Sequence, residues 1–394
     1  MINNVLGCFL KRLKQYIKVS CVFSLLLFAA NSGAVNNELL LKKPPPKQLI
    51  QALYIPLADH YAAIIAYELF RDQMKHADFR LTQMKNWDLL RSYFETGYSQ
   101  MAFLMSPLAM DMFHRKENFR WVGLMHRDGN ALAINEVINE HVRVPLKRKE
   151  RIPNRELGDA LRHFYAKYNK ATYVGVPHLL STHTVVLYKY LSEQNLGLAL
   201  LPNAPGEVLA LPLAPPKAPL FIKSKNTRAI PAAFEQSLPW ADVVETQGYG
   251  KVAWYSKDVI KWPKGHVECL IVATDKILDR RPEAVKEVVA AIHQAGEVIE
   301  QARYGGGEQL DALIRLIRKH IPLHTEAAIR ASLNPELNVI NYKDLNIDKP
   351  GLSHIMGFAL KGGILKNPIN VKNFADPRFE DIRPSTFSVE ALQK

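Results

Sequence analysis

The sequence predicts an α/β protein, and three observations carry that expectation. From residue 49 onward, apolar stretches of strand length alternate with stretches of helical periodicity, the β-α-β-α-β rhythm of an open sheet covered by helices. The chain has 394 residues, enough for two or more packed units rather than one core. A charged fraction of 23% and a hydrophobic fraction of 48% are ordinary for a folded domain, and they exclude intrinsic disorder and a polytopic membrane protein.

The first 34 residues stand apart from this pattern. Lys11, Arg12, Lys14 and Lys18 precede an apolar run from Val19 to Ala30, and no acidic residue occurs before Glu38. Ser32-Gly33-Ala34 then places small side chains where a signal peptidase needs them. The segment reads as a secretory signal cleaved after Ala34, since a membrane span needs about 20 apolar residues and this run stops short. The expected location is the periplasm. Losing these four cations lowers the formal charge from +13 to +9 and leaves Cys269 as the one remaining cysteine of three. Isolated cysteines exclude cysteine-based zinc sites, iron–sulfur clusters and a disulfide framework. Cys269 itself, inside the apolar stretch from Val267 to Val272, reads as a small buried hydrophobe. The basic surplus suits attraction of small anions. No basic groove interleaved with aromatics is visible, so nucleic acid is not an expected partner.

Residues 35–47 form a Pro/Lys-rich leader whose consecutive prolines favour an extended backbone. Leu49–Tyr54 reads as a strand and His60–Lys75 as a helix, with Ala63, Ile64, Tyr67 and Phe70 near helical spacing. Phe79–Met84 reads as a strand, Asp88–Phe94 as a helix closed by Gly97, and Gln100–Leu104 as a third strand. Pro107 suits the first turn of a further helix. Trp121–Met125 and Ala131–Ile134 are strands parted by the turn residues Asp128-Gly129-Asn130. After the charge run Lys147–Arg151, Asn154 can cap a helix over Glu156–Tyr168; Thr172–Val176 is a strand, and Ser181 or Thr182 can cap a helix over Val185–Glu193. Six prolines in residues 202–219 suggest a loop or short edge strands. Val252–Tyr255 and Val267–Ala273 are strands; Arg281–Arg303, Glu308–Lys319 and Thr325–Ser332 are helices.

Motifs of enzymatic chemistry are missing. There is no phosphate loop, dinucleotide fingerprint, His-Glu-x-x-His or Gly-x-Ser-x-Gly. His178 and His183 lie five residues apart without a partner carboxylate, a poor metal pair. No cofactor and no metal are expected. What remains is a set of polar or turn residues at the C-terminal ends of strands, where open α/β sheets hold ligands and helix N-termini offer N–H groups. These are Pro56, Asp59 and His60 after the first strand, Trp87 after the second, Ser106 and Pro107 after the third, then Gly129, Asn130 and Ser181-Thr182-His183. Asp59 and Ser106 also fit plain helix caps, Trp87 a core seam, Gly129-Asn130 a turn, and His183 a satisfied interior histidine.

At these residues the sequence resembles the periplasmic substrate-binding proteins of ABC transporters for nitrate, bicarbonate and alkanesulfonates, in the NMT1/THI5-like group. The matching stretches are Tyr54-Ile55-Pro56-Leu57-Ala58-Asp59, Trp87-Asp88-Leu89-Leu90-Arg91, Met105-Ser106-Pro107-Leu108-Ala109-Met110, Asp128–Ile134, Ser181-Thr182-His183 and Leu238-Pro239-Trp240, in family order. The resemblance implies a two-lobed, type II Venus-flytrap fold with the ligand cleft between lobes. Residues 48–135 and 256–394 would form the first lobe and 136–255 the second. It implies a non-enzymatic, monomeric solute carrier that docks on a membrane ABC permease. Trp87, Ser106, Gly129, Asn130 and His183 would line the cleft, with Gln236 and Trp240 in the region of the family's Glu-Pro-Trp segment. Nitrate or a related oxoanion ranks first as ligand, then bicarbonate, then a sulfonate or larger organic molecule. His60 and His183, if protonated at the ligand, would make affinity pH-dependent. A transporter-independent sensor and a THI5-like protein of thiamine-pyrimidine chemistry remain alternatives.

Overall fold

The computed structural model describes residues 46–116 and 118–389. The expected signal segment and nearly all of the leader lie outside these residues. Among the described residues, no helix is long and apolar enough to cross a membrane.

Two mixed sheets form the frame. The first contains β1 (Gln48–Tyr54), β2 (Ala77–Gln83), β3 (Met101–Met105) and β4 (Phe119–Leu124), joined by a late strand, Cys269–Thr274, in the order β2-β1-β3-late strand-β4. The first three strands run parallel, because helices cross between them, and the late strand enters antiparallel to β3 and β4. The crossover helices are α1 (Tyr61–Phe70), α2 (Trp87–Glu95) and, after β3, α3 (Ser106–Arg115). Asn86 caps α2 by accepting from the Leu89 N–H, and Pro107 sits in the first turn of α3 as its sequence suggests. Alternation along β1 sends Ile50, Ala52 and Tyr54 into one core and Leu53 into the core on the opposite face.

The second sheet holds six strands. They are β5 (Asn130–Asn135), β6 (Thr172–Val176), β7 (Leu198–Ala199), β8 (Val208–Pro212), β9 (Ala232–Ser237) and β10 (Gly250–Tyr255), in the order β10-β5-β9-β6-β8-β7. Helix α4 (Arg155–Tyr168) is capped by Asn154, and α5 (Thr182–Glu193) by Ser181. Two segments cross between sheets: residues 125–129 after β4, and residues 256–268 between β10 and the late strand, which becomes β11 in chain order. The structure places Asn130–Asn135 in the second sheet, paired with β9 and β10, although the sequence expectation assigned residues 48–135 to the first lobe. The turn at Asp128-Gly129 is where the chain changes sheets, so the boundary falls before β5.

One further expectation changes, and one strand has no counterpart in the sequence reading. The proline-rich stretch 202–219 contains β8, an interior strand between β6 and β7 rather than an edge. Strand β9 shows no alternation in sequence because all six of its residues, Glu235 and Gln236 included, are buried.

The last part of the chain returns to the crossings. Helix α6 (Pro282–Gly305) packs on α1, and α7 (Lys349–Lys361) lies against both α3 and α5, one from each side of the sheet change. Buried Arg127, in the first crossing, donates to Asp348 Oδ2 at 2.9 Å, to the Asp344 carbonyl at 2.9 and 3.0 Å, and to the Gly265 carbonyl of the second crossing at 3.1 Å. One guanidinium thus ties both crossings to the start of α7.

Gly250, at the start of β10, lies so close to β5 that a Cβ there would collide with the Ile134 carbonyl oxygen. Gly250→Ala is expected to cost about 1–3 kcal/mol, read as a lower urea midpoint at unchanged slope. A midpoint equal to wild type would show that the two strands can part without loss.

Candidate functional site

Parallel strands aim their C-terminal ends at the space between the two sheets, and the polar residues that follow them meet there. After β1, the short 3-10 turn Ala58–His60 presents Asp59 and His60. After β2 comes Trp87, after β3 Ser106, and immediately before β11 stands Glu268. His126 belongs to the first crossing. From the other sheet come Thr182 and His183 at the start of α5 and Ser237 at the end of β9. All nine side chains are buried.

Five of them close a ring. Ser237 Oγ donates to Asp59 Oδ2 at 2.8 Å, and His183 Nε2 lies 2.8 Å from the same Oγ. Asp59 Oδ2 faces His126 Nε2 at 3.5 Å, and that nitrogen faces Glu268 Oε2 at 3.2 Å. Glu268 Oε1 returns to His183 Nδ1 at 3.5 Å. The ring therefore crosses between lobes twice, from Ser237 to Asp59 and from Glu268 to His183. Three contacts beside it also join the lobes: Ser106 Oγ to Thr182 Oγ1 at 3.2 Å, the Ala58 N–H to the Leu238 carbonyl at 2.8 Å, and the Trp240 indole N–H to the Pro56 carbonyl at 3.0 Å.

The hydroxyl at Ser237 fixes the histidine beside it. Its single proton goes to the carboxylate of Asp59, so it accepts from His183 Nε2–H, leaving the lone pair of His183 Nδ1 aimed at Glu268. Local backbone serves the same arrangement. Asp128 and Gly129 both have positive φ, 58° and 95°, and a Cβ at Gly129 would stand 3.0 Å from the His126 ring. A side chain there would push His126 off its place.

Charge in the ring is set by burial and by the neighbours. Burial disfavours the imidazolium of His126, but the carboxylates of Asp59 and Glu268 outweigh it and push His126 up to about 10. Burial works against ionised Asp59 too; His126, with smaller help from His60 and His183, holds it below its usual range. Glu268 moves upward, by burial and then by the charge of Asp59. His60 is held near 4 and His183 near 3 by burial, so both are neutral across the neutral range. An affinity that depends on their protonation would therefore change at acid pH rather than around neutrality.

Several ring atoms have no hydrogen-bond partner although they are buried: Asp59 Oδ1, both nitrogens of His126, His183 Nδ1 and both oxygens of Glu268. The Trp87 indole N–H and both side-chain polar atoms of Asn130 are in the same condition. A buried polar atom without a partner costs about 1–3 kcal/mol, so a concentration of them marks a place built for something else. The positive charges buried elsewhere are committed: Arg127 to Asp348, Arg151 to Glu245 and Arg303 to Glu300. No described lysine is buried. A metal-ligating set is present as well, since ligand atoms of His126, Glu268 and Cys269 lie within 4.8 Å of one another.

The residues singled out in the sequence divide into three groups. Asp59 and His183 are ring members; His60 stands beside the ring with Nε2 at 3.3 Å from Cys269 Sγ, its imidazole 6.0 Å from the Trp87 ring. Ser106, Gly129 and Asn130 border it. Gln236 and Trp240 do not join: Gln236 donates to the Leu213 carbonyl at 2.9 Å, and Trp240 packs on His324 at 4.8 Å. His126, Ser237 and Glu268 were missed. Glu268 did carry a signal, an acid leading an apolar strand, which the reading of Cys269 as inert hydrophobe overlooked.

Two mixed sheets with crossing segments and a polar site shared at their strand ends define a two-lobed α/β protein of the periplasmic-binding-protein fold. Residues 43–305 match the NMT1-like family, and the chain belongs to it. Among solved structures it is similar to the ligand-binding component of an ABC-type import system from Staphylococcus aureus with zinc bound, at 19% identity and TM-score 0.64 over 86% of this chain and 100% of that one. It is similar to the periplasmic nitrate-binding protein NrtA from Synechocystis PCC 6803, at 16% identity and TM-score 0.64 over 83% of this chain and 84% of that one. The alkanesulfonate-binding protein SsuA from Xanthomonas axonopodis pv. citri, bound to MOPS, follows at 10% identity and TM-score 0.61 over 84% and 99%. No curated protein matches the sequence significantly.

Ser237→Ala removes the hydroxyl that joins His183 to Asp59. It is expected to cost about 1–3 kcal/mol and to increase the radius of gyration in small-angle scattering, as the lobes lose a shared contact. An unchanged radius together with unchanged stability would show that the ring does not hold the lobes together.

Burial also holds His293 near 4, against the opposing pull of the Ile382 carbonyl. Unfolded, such a histidine titrates near 6.5, so between these values the unfolded chain binds the proton and the folded one does not. Its contribution is complete above about pH 6.5 and is lost as the pH falls. His293→Gln, which cannot ionise, is expected to lose less stability than wild type between pH 7 and pH 5 in urea titrations; equal losses would acquit His293.

Proposed function

We propose that this protein is the extracytoplasmic solute-binding component of an ABC importer, closing two lobes on a small solute and presenting the closed form to a membrane permease. The observation that carries the reading is the interlobe ring, in which Asp59, His126 and Glu268 from one side meet Ser237 and His183 from the other. A site divided between lobes converts solute binding into closure, because the solute's contacts with both halves exist only when they meet. Membership in the NMT1-like family and likeness to importer components support it. Export through residues 1–34, a monomeric state and the absence of catalysis belong to the same proposal.

The solute class that the ring favours differs from the nitrate-like oxoanion expected from resemblance. Ionised Asp59 and Glu268, the latter pushed up to about 7, share the site with one imidazolium, and the buried arginines are paired elsewhere. A bare anion would meet like charge in a setting with little water to screen it. A solute bringing positive charge satisfies the unpartnered oxygens, and the Trp87 indole N–H and the Asn130 amide offer further contacts beside them. The named ligands of the similar structures span nitrate, MOPS and zinc, so the fold does not select among classes.

A thermal-shift panel of cationic, zwitterionic and anionic solutes tests this. A ligand at 100 times its dissociation constant adds about 2.7 kcal/mol of stability. Cationic or zwitterionic compounds are expected to give the shift and nitrate none. Trp87→Phe keeps the buried ring and deletes its N–H; it is expected to weaken the best organic hit about tenfold with the fold intact. Stabilisation by nitrate, unchanged in Asp59→Asn, would refute the charge argument.

A further inference from the structure

We infer that the solute enclosed by the ring is a zinc-class divalent metal ion, held by His126 Nε2, Glu268 and Cys269 Sγ, with His183 Nδ1 of the second lobe facing Glu268 from outside that set. The inference rests on the receptor reading above and names its substrate. Its starting point is the spacing of the donors. Oxygen and nitrogen ligands at about 2.0–2.2 Å from a tetrahedral ion are themselves about 3.2–3.6 Å apart. In the ring, His126 Nε2 and Glu268 Oε2 stand at 3.2 Å, and Glu268 Oε1 and His183 Nδ1 at 3.5 Å. The thiol of Cys269 falls within 4.8 Å of both His126 and Glu268 ligand atoms.

Hydrogen bonding explains the second of these spacings poorly. Ser237 spends its proton on Asp59, so His183 presents Nδ1 as a lone pair, and a carboxylate oxygen lies opposite. Glu268, pushed up to about 7, can meet this lone pair either with a proton or, once ionised, through a positive centre between the two atoms. Neither atom has a hydrogen-bond partner, and both oxygens of Glu268 share that condition. Asp59 Oδ2 stands 3.5 Å from the same His126 nitrogen and adds a further negative charge beside the ion.

Donor chemistry selects the ion. Imidazole nitrogen, carboxylate oxygen and a single thiolate form a borderline set that suits zinc and its neighbours; calcium and magnesium prefer oxygen alone. A lone cysteine in the sequence argues against sites built on several thiolates, but it does not exclude a mixed site. Binding displaces two protons to solvent, one from the thiol of Cys269 and one from Nε2 of the His126 imidazolium, leaving the thiolate and the neutral imidazole on the metal. Because His183 belongs to the second lobe and already faces Glu268 at 3.5 Å, it reaches an ion at the set only by a further small shift of that lobe.

Chelator-treated protein, titrated with zinc chloride against a chromophoric chelator, is expected to bind one ion per chain. Glu268→Gln and Cys269→Ser should each weaken that binding at least tenfold, while His178→Gln, at a half-buried histidine facing exposed Asp88 outside the ring, leaves it unchanged. Cobalt chloride provides a readout that structural damage cannot imitate: a thiolate-to-cobalt charge-transfer band in wild type, absent in Cys269→Ser with circular dichroism unaltered. Equal zinc affinity in the folded ring variants, or cobalt bound without the thiolate band, overturns the metal site. If metals fail while an organic cation stabilises the protein and reduces its radius of gyration, the inference falls and the receptor reading stands; if no solute of either kind does so, both fall.

Discussion

Everything in this molecule is arranged around a charge that cannot be left alone. Asp59 is fully buried between two lobes, and an isolated carboxylate there would cost several kcal/mol in lost hydration. His126 supplies the compensating charge, Ser237 a hydrogen bond, and both depend on elements far apart in the chain. The turn at Asp128-Gly129 brings the imidazole in, and β9 delivers the hydroxyl. Breaking any one of these exposes the carboxylate to an interior that has nothing else to offer it. The fold and the site are therefore one problem: the strand ends converge because the polar groups at them need each other.

The same physics makes the ring sensitive to what enters it. Histidines held neutral by burial, such as His60 and His183, act as lone-pair or N–H groups of fixed direction, with the direction set by their neighbours. His126 differs because two carboxylates face it. One ring thus contains a charged and an uncharged imidazole a few ångströms apart, distinguished by surroundings alone. Such a site discriminates by charge as well as by shape, since an arriving group alters the balance that keeps His126 protonated.

Most of the first lobe could be read from sequence. Strands β1 to β4 and their helices announce themselves by apolar runs, the Asn86 and Pro107 signals and the turn at Asp128-Gly129-Asn130. The second sheet was legible only in part, because β9 is buried on both faces and loses the alternation that would reveal it. Site residues divide along the same line. Asp59 and His183 stand next to helix starts, where position itself is informative. His126 lies in a crossing, and Glu268 and Ser237 at strand ends next to apolar residues; their roles arise from contacts with residues 54 to 178 positions away. Spacing along a chain does not encode such pairings.

Arg127 has a consequence for motion. Its guanidinium binds the first crossing to the Gly265 carbonyl of the second and to Asp344 and Asp348 ahead of α7. The other flank is held as well, at the left-handed Asp128 and Gly129: the Asp128 N–H donates to the His266 carbonyl, the Gly129 N–H to the Val339 carbonyl, and the Leu238 N–H to the Gly129 carbonyl. With both flanks braced the crossings have little slack, so the side chains set on them, His126 included, keep fixed places at the strand ends.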